Sequence, residues 1–130
     1  MYFPSLRLPA AVRLAMKLLI VDDNPSMRAL VRQCCAGVSA DMRECGNGRE
    51  AVAAFAEFQP DWTLMDLMMP EVDGLSATAQ IIAASPGARI VIVTQLRSPE
   101  YREAALQAGA CALVLKDNLH LLPQLFAGFP

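Results

Sequence analysis

At 130 residues the chain is long enough for one well-buried domain and too short for two ordinary ones, since domains commonly run to roughly 100–150 residues. With 55% hydrophobic and 18% charged residues it has the makeup of a compact fold, because disorder needs low hydrophobicity and high net charge. The formal charge of −2 comes from 13 acids against 11 scattered bases, which leaves no basic footprint for nucleic acid or anionic lipid; direct binding to either is not expected.

Residues 1–15 carry Arg7 and Arg13 and no acid, yet Arg13 breaks the apolar stretch and no small-x-small cleavage site follows. The apolar run beyond them, Leu18 to Val21, is four residues, against the ~20 that a membrane span requires. A cytoplasmic protein is expected. Met16 stands immediately before a strand-like segment, so residues 1–15 read as an N-terminal extension and 16–130 as the domain, with no output domain after it.

From Met16 onward short β-type runs alternate with longer helical ones five times, the pattern of a doubly wound α/β fold. The strands are "KLLIV" (17–21), "DMREC" (41–45), "WTLMD" (62–66), "RIVIV" (89–93) and "CALVL" (111–115). Four are nearly continuous apolar runs, which implies burial on both faces of a parallel sheet, whereas "DMREC" alternates and belongs at an edge. The first helix, "PSMRALVRQCC", follows an Asn24 cap with Pro25 in its first turn; the second, "GREAVAAFAEF", stops before Gln59-Pro60. "LSATAQIIAAS" ends before Pro86-Gly87, and "PEYREAALQAG" runs from a Ser98 cap to Gly109, a residue suited to a left-handed C-cap. In "NLHLLPQLFAGFP", Pro123 removes an amide donor, so that helix starts late or kinks.

Several conspicuous residues have structural explanations. Cys34, Cys35, Cys45 and Cys111 show no C-x-x-C spacing and read as reduced, mostly buried thiols. Asp73 before Gly74 reads as a turn or cap residue, and Met65, Met68 and Met69 as core and loop packing. His120, the sole histidine, has no triad around it, and Trp62 opens the third strand at the edge where it packs on helix ends.

In a parallel sheet the residues just past the strand ends gather along one edge, where ligands bind. Here these are Asp22-Asp23, Asp66, Thr94 and Lys116. Three crowded carboxylates repel unless a cation compensates them, and oxygen-only ligands select Mg²⁺ or a similar hard ion. A carboxylate can attack phosphorus while a metal and an ammonium neutralise the transferring group, which makes Asp66 the candidate nucleophile.

The segments "LLIVDDNPSMR", "LMDLMMPEVDGL", "IVTQ" and "LVLKD", in this order and spacing, resemble the receiver domain of bacterial response regulators over residues 16 to about 127. The resemblance implies a flavodoxin-like (βα)5 fold, strand order 2-1-3-4-5, with helices on both faces of the sheet. It matches Asp66 to the phosphoacceptor, Asp22 and Asp23 to the acid pair holding Mg²⁺ and Met68 to the position whose backbone carbonyl joins them. Thr94 falls at the switch hydroxyl and Lys116 at the phosphate-contacting amine, while Pro70 and Gly74 shape the loop after the acceptor.

The implied partners are a histidine kinase or phosphotransfer protein upstream and a downstream protein that reads the helix after the fourth strand, the fifth strand and the closing helix. Leu119, Leu121, Leu122, Leu125, Phe126 and Phe129 are candidates for that surface. Leu113 stands where the family usually has a rotating aromatic, and Gln95 where it often has a small residue, so switching and donor access are expected to differ. The implied chemistry is self-phosphorylation from phosphodonors and slow self-hydrolysis, without turnover of an external substrate. Two other readings compete: a constitutive interaction module with this fold, and a Mg²⁺-dependent phosphohydrolase. The latter needs a second acid at position 68 to protonate its leaving group, where this chain has methionine.

Overall fold

Five strands, β1 (Lys17–Val21), β2 (Asp41–Cys45), β3 (Trp62–Asp66), β4 (Ile90–Thr94) and β5 (Ala112–Leu115), form one parallel sheet in the order β2-β1-β3-β4-β5. This is a computed structural model of the chain, and it describes residues 8–128. The helices are α1 (Ala10–Ala15), α2 (Pro25–Cys35), α3 (Gly48–Phe58), α4 (Gly74–Ala84), α5 (Pro99–Gln107) and α6 (Leu122–Gly128), with a 3-10 turn over Lys116–Leu121. The first three strands begin and end where the apolar pattern places them. β4 and β5 each start one residue later, and β4 takes in Thr94.

Alternate side chains on the central strands feed two separate apolar layers. Leu19, Val21, Met65, Ile90 and Ile92 pack against Ala51, Phe55, Phe58, Ala77, Ile81 and Ala105 of α3, α4 and α5. Leu18, Ile20, Leu64, Val91 and Val93 pack on the opposite face against Val31, Cys35, Leu119, Leu122 and Phe126. Burying each such aliphatic side chain contributes about 1.5–3 kcal/mol, so the two-sided runs that mark β1, β3 and β4 and the helix faces that cover them stabilise the fold together.

The two edges differ from the centre, β2 as its alternating sequence requires and β5 against the two-sided burial its apolar run suggests. β2 is largely exposed and ends on the buried Cys45. β5, although apolar throughout, is the other edge, and only Val114 of its residues is buried.

Helix ends follow from local chemistry. Asn24 Oδ1 accepts the Ser26 amide at 2.9 Å, Asn47 Oδ1 the Glu50 amide at 2.8 Å, and Asp73 Oδ1 the Ser76 amide at 2.8 Å, each an N-cap. Gln59 closes α3 in the left-handed region at φ 53°, ahead of Pro60. Gly109, at φ +106°, lets the chain leave α5. Ser98 precedes α5 but its hydroxyl turns to the Glu100 carboxylate, so it caps no backbone amide. Pro123 falls in the first turn of α6, where its missing N–H costs nothing, and the irregular stretch before it is the 3-10 turn.

From Leu8 on, the N-terminal extension is attached to the domain. The Leu8 amide donates to the Gly37 carbonyl at 3.1 Å, the Ala40 amide to the Arg13 carbonyl at 3.1 Å, and Leu8 and Met16 pack on the second apolar layer. Leu119, Leu122 and Phe126, offered above for partner contact, are core residues; Leu122 is fully buried and Phe126 packs at a tilt against Trp62 with ring centroids 4.9 Å apart. Leu121 remains exposed, Leu125 is half-buried, and Phe129 lies outside the described residues.

Candidate functional site

The register of the sheet decides what meets at its carboxyl edge. Val21 pairs with Met65, Asp66 with Val93, and Thr94 with Leu115. One step past these rungs, Asp22 comes beside Asp66 in neighbouring strands, while Thr94 and Lys116 flank Asp66 on its other side. Asp22, Asp23, Asn24, Asp66, Met68, Thr94, Gln95, Leu96 and Lys116 line a cleft of about 430 Å³.

Within it, ligand oxygens of Asp22, Asp23 and Asp66 all lie within 4.8 Å of one another. Asp22, Asp66 and Thr94 are buried, while Asp23 is exposed. The amine of Lys116 sits between two of the acids, 2.9 Å from Asp22 Oδ2 and 3.4 Å from Asp66 Oδ1. Asp22 Oδ1 accepts the Asn24 amide at 2.9 Å, so both its oxygens are engaged. Thr94 Oγ1 accepts the Leu96 amide at 3.1 Å, which ties the hydroxyl to the loop that follows β4.

The electrostatics carry the mark of crowded anions. Burial, reinforced by the Asp22 charge, pushes the Asp66 carboxyl up to about 6, against the opposing pull of Lys116 and the Leu67 amide. Burial alone would push the Lys116 amine down, but its hydrogen bond to Asp22 and the charge of Asp66 outweigh it and hold the amine above its usual range. Three acids against one ammonium leave negative charge uncompensated, and the donors are all oxygens. The site therefore fits a hard divalent ion such as Mg²⁺.

The loop after Asp66 is fixed by close backbone contact. The Gly74 amide donates to the Leu67 carbonyl at 3.0 Å, and a Cβ at Gly74 would lie 2.0 Å from the Asp66 carbonyl oxygen. Only glycine lets the start of α4 approach the end of β3 so closely. Glu71, at φ 64°, makes the turn within this loop, and the Met68 side chain stands 65% exposed at the rim of the cleft.

Asp22, Asp23, Asp66, Thr94 and Lys116 line this cleft together, whereas Asp73 is a cap, Met65 is core, and Trp62 lies at the far end of its strand under an Arg89 guanidinium; Met68, read as packing, is exposed. One contributor escaped the motif reading. Arg28 of α2 donates from Nη1 to the Asp22 backbone carbonyl at 2.6 Å. Arg28 closes the segment "LLIVDDNPSMR", but that segment does not say where the guanidinium reaches; the spacing of Arg28 and Arg32 on one helical face is the further signal.

The α/β sheet with an acidic cleft at its carboxyl edge defines a class, and comparison with known proteins names the family. The response regulator receiver domain matches residues 18–124, and the chain belongs to that family. It is 36% identical over 103 residues to the chemotaxis protein CheY of Halobacterium salinarum, a match spanning 79% of this chain and 86% of that protein. It is 39% identical over 106 residues to the uncharacterized transcriptional regulatory protein YhcZ of Bacillus subtilis, covering 79% of this chain and 49% of that one. Among solved structures, a two-component response regulator of the LuxR family from an Aurantimonas species superposes with a TM-score of 0.79 at 30% identity, over 85% of this chain and 81% of that chain. Among the described residues no helix is long and apolar enough to cross a membrane.

Proposed function

We propose that this receiver domain is a phosphoacceptor switch in which Asp66 takes a phosphoryl group from a phosphohistidine on a histidine kinase or phosphotransfer protein. The observation that carries the reading is the Lys116 amine lodged between Asp22 and Asp66, with a third carboxylate, Asp23, within reach of both. Asp22, Asp23, Asp66 and the Met68 backbone carbonyl would hold Mg²⁺, which supplies charge neutralisation for the transferring group when bound.

The chain's own residues supply the remainder. An Asp66 carboxylate oxygen forms a bond to phosphorus as the phosphorus–nitrogen bond of the donor breaks, and the histidine leaves with the electron pair. Asp66 must be ionised to attack, and even in the metal-free cleft a carboxyl pushed up to about 6 is mostly ionised at neutral pH. Lys116, whose amine already lies 3.4 Å from Asp66 Oδ1, can exchange its bond to Asp22 for one to a phosphoryl oxygen. The new group carries nearly two negative charges and three acceptor oxygens. Swinging the Thr94 side chain toward one of them so that its hydroxyl donates there releases the Leu96 amide and shifts the loop joining β4 to α5. The surface formed by α5, β5 and the 3-10 turn then changes population, and a protein partner reads that change.

The phosphohydrolase reading finds no support in the cleft, where Met68 stands in place of a proton-donating acid. The constitutive-module reading is separated from the switch by mass. Incubation with a small phosphodonor and Mg²⁺ should add one species heavier by about 80 Da, the mass of a phosphoryl group on a carboxylate, with none in Asp66→Asn or after chelation. An unmodified native protein under those conditions would favour the constitutive module.

A further inference from the structure

Arg28 lies on the face of α2 that turns toward the edge strand β2, one helical turn before Arg32, and both guanidinium groups reach Glu44. Arg28 Nε lies 2.9 Å from Glu44 Oε1 and Arg32 Nε 2.9 Å from Oε2, while Arg32 Nη2 donates to the Met42 carbonyl at 3.3 Å. Glu44 thereby fixes one side of the Arg28 fork and leaves the other to point elsewhere. It points at the acidic cleft, in the 2.6 Å bond from Nη1 to the Asp22 carbonyl. Only 19% of the Arg28 side chain is exposed, so water competes little for that bond.

The sheet explains why a donor is needed there. The Asp22 amide donates to the Cys45 carbonyl at 3.1 Å, continuing the β1–β2 ladder one place beyond Val21. In an extended residue the N–H and C=O point to the same side, so the Asp22 carbonyl also faces β2. The next rung would require an amide from the chain beyond Gly46, but there the chain turns into α3, capped by Asn47. The Arg28 guanidinium supplies the donor that the strand no longer can.

We infer that Arg28 is a positioning residue for metal binding: its bond to the Asp22 carbonyl fixes the peptide joining Asp22 to Asp23 and holds the two carboxylates at a spacing that suits one divalent cation. The inference rests on the reading of Asp22 and Asp23 as magnesium ligands. Arg28 acts through the backbone and touches neither ion nor phosphoryl group. Groups in that position commonly govern metal affinity by 10–100-fold. Lysine could not replace it fully, because a single ammonium cannot span Glu44 and the Asp22 carbonyl as a planar fork does.

The test measures Mg²⁺ affinity by calorimetry, well below the thermal midpoint, for the native protein, Arg28→Met, Arg28→Lys and Asp23→Asn. In parallel, hydrogen exchange of the Asn24 amide, which is bonded to Asp22, is followed in the metal-free proteins. Arg28→Met is expected to bind Mg²⁺ roughly tenfold more weakly than native, with Arg28→Lys between them, and to exchange the Asn24 amide faster. If Arg28→Met does not fold, Arg28→Lys and Glu44→Gln carry the same comparison with smaller shifts. Native affinity in a folded Arg28→Met, or an unchanged Asn24 amide, overturns the inference. A native protein that takes up no Mg²⁺, behaving like Asp23→Asn, instead overturns the functional reading, and the metal role of Arg28 with it.

Discussion

Replacing the Asp66 carboxylate with a neutral amide of the same shape should stabilise the metal-free protein at neutral pH. The Asp66 carboxyl is pushed from its ordinary 3.8 up to about 6 by burial and by the Asp22 charge, a net result that already includes the help of Lys116. A raised value means that the native state binds this proton more tightly than the unfolded chain does. Stability therefore falls as pH rises from about 4 to about 6, and the cost is fully present above that window. Two pH units correspond to about 3 kcal/mol at most. Because the cleft opens to water, about 1–2 kcal/mol is the expected gain for Asp66→Asn. Urea unfolding in the presence of a chelator should show that gain at pH 7 and lose it below about pH 4, where the native carboxyl is neutral in both states. Added Mg²⁺ should then stabilise the native protein more than the variant and narrow the gap. An Asp66→Asn protein no more stable than native at pH 7, or a difference that does not change with pH, would refute the claim that Asp66 sits among uncompensated acids.

Lys116→Met removes the cation between Asp22 and Asp66, so the Asp66 carboxyl should titrate higher than in the native protein; carboxyl carbon NMR of the metal-free form reads this directly, and a lower value would contradict it. Gly74→Ala would place a Cβ 2.0 Å from the Asp66 carbonyl oxygen, a backbone overlap that no rotamer relieves. It should cost about 3 kcal/mol or more, seen as a lowered thermal midpoint, and a midpoint equal to native would show that the β3–α4 approach is looser than described. Trp62 is buried against Phe126 at the edge remote from the cleft, so its emission should hardly change on phosphorylation but should shift to longer wavelength in Phe126→Ala. A large phosphorylation signal at Trp62 would mean that the switch reaches the far end of the sheet.

Much of this was legible in the chain because the relevant physics is local. The two-sided apolar runs "LLIV" and "IVIV" identify central strands, and carboxylates at the ends of such runs can only gather at one edge of a parallel sheet. Caps at Asn24 and Asp73, and the late start of α6 forced by Pro123, also follow from neighbours in sequence. Long-range geometry was less visible. An apolar strand at an edge, β5, reads like one at the centre, because its sequence does not say that it pairs with a neighbour on one side only. Leu122 and Phe126 read as available for a partner, and only the packing of α6 on Trp62 and α2 makes them core. The Arg28 bond to the Asp22 carbonyl depends on where the chain after β2 turns away, which no motif records.

The central claim is that Asp66, among the three clustered acids, carries the phosphoryl group. Borohydride reduction converts an aspartyl phosphate into homoserine, so the protein is phosphorylated in Mg²⁺, reduced, digested and sequenced by tandem mass spectrometry. The account predicts homoserine at position 66 and native aspartate at 22 and 23. Homoserine at Asp22 or Asp23, or at none of the three, would contradict it.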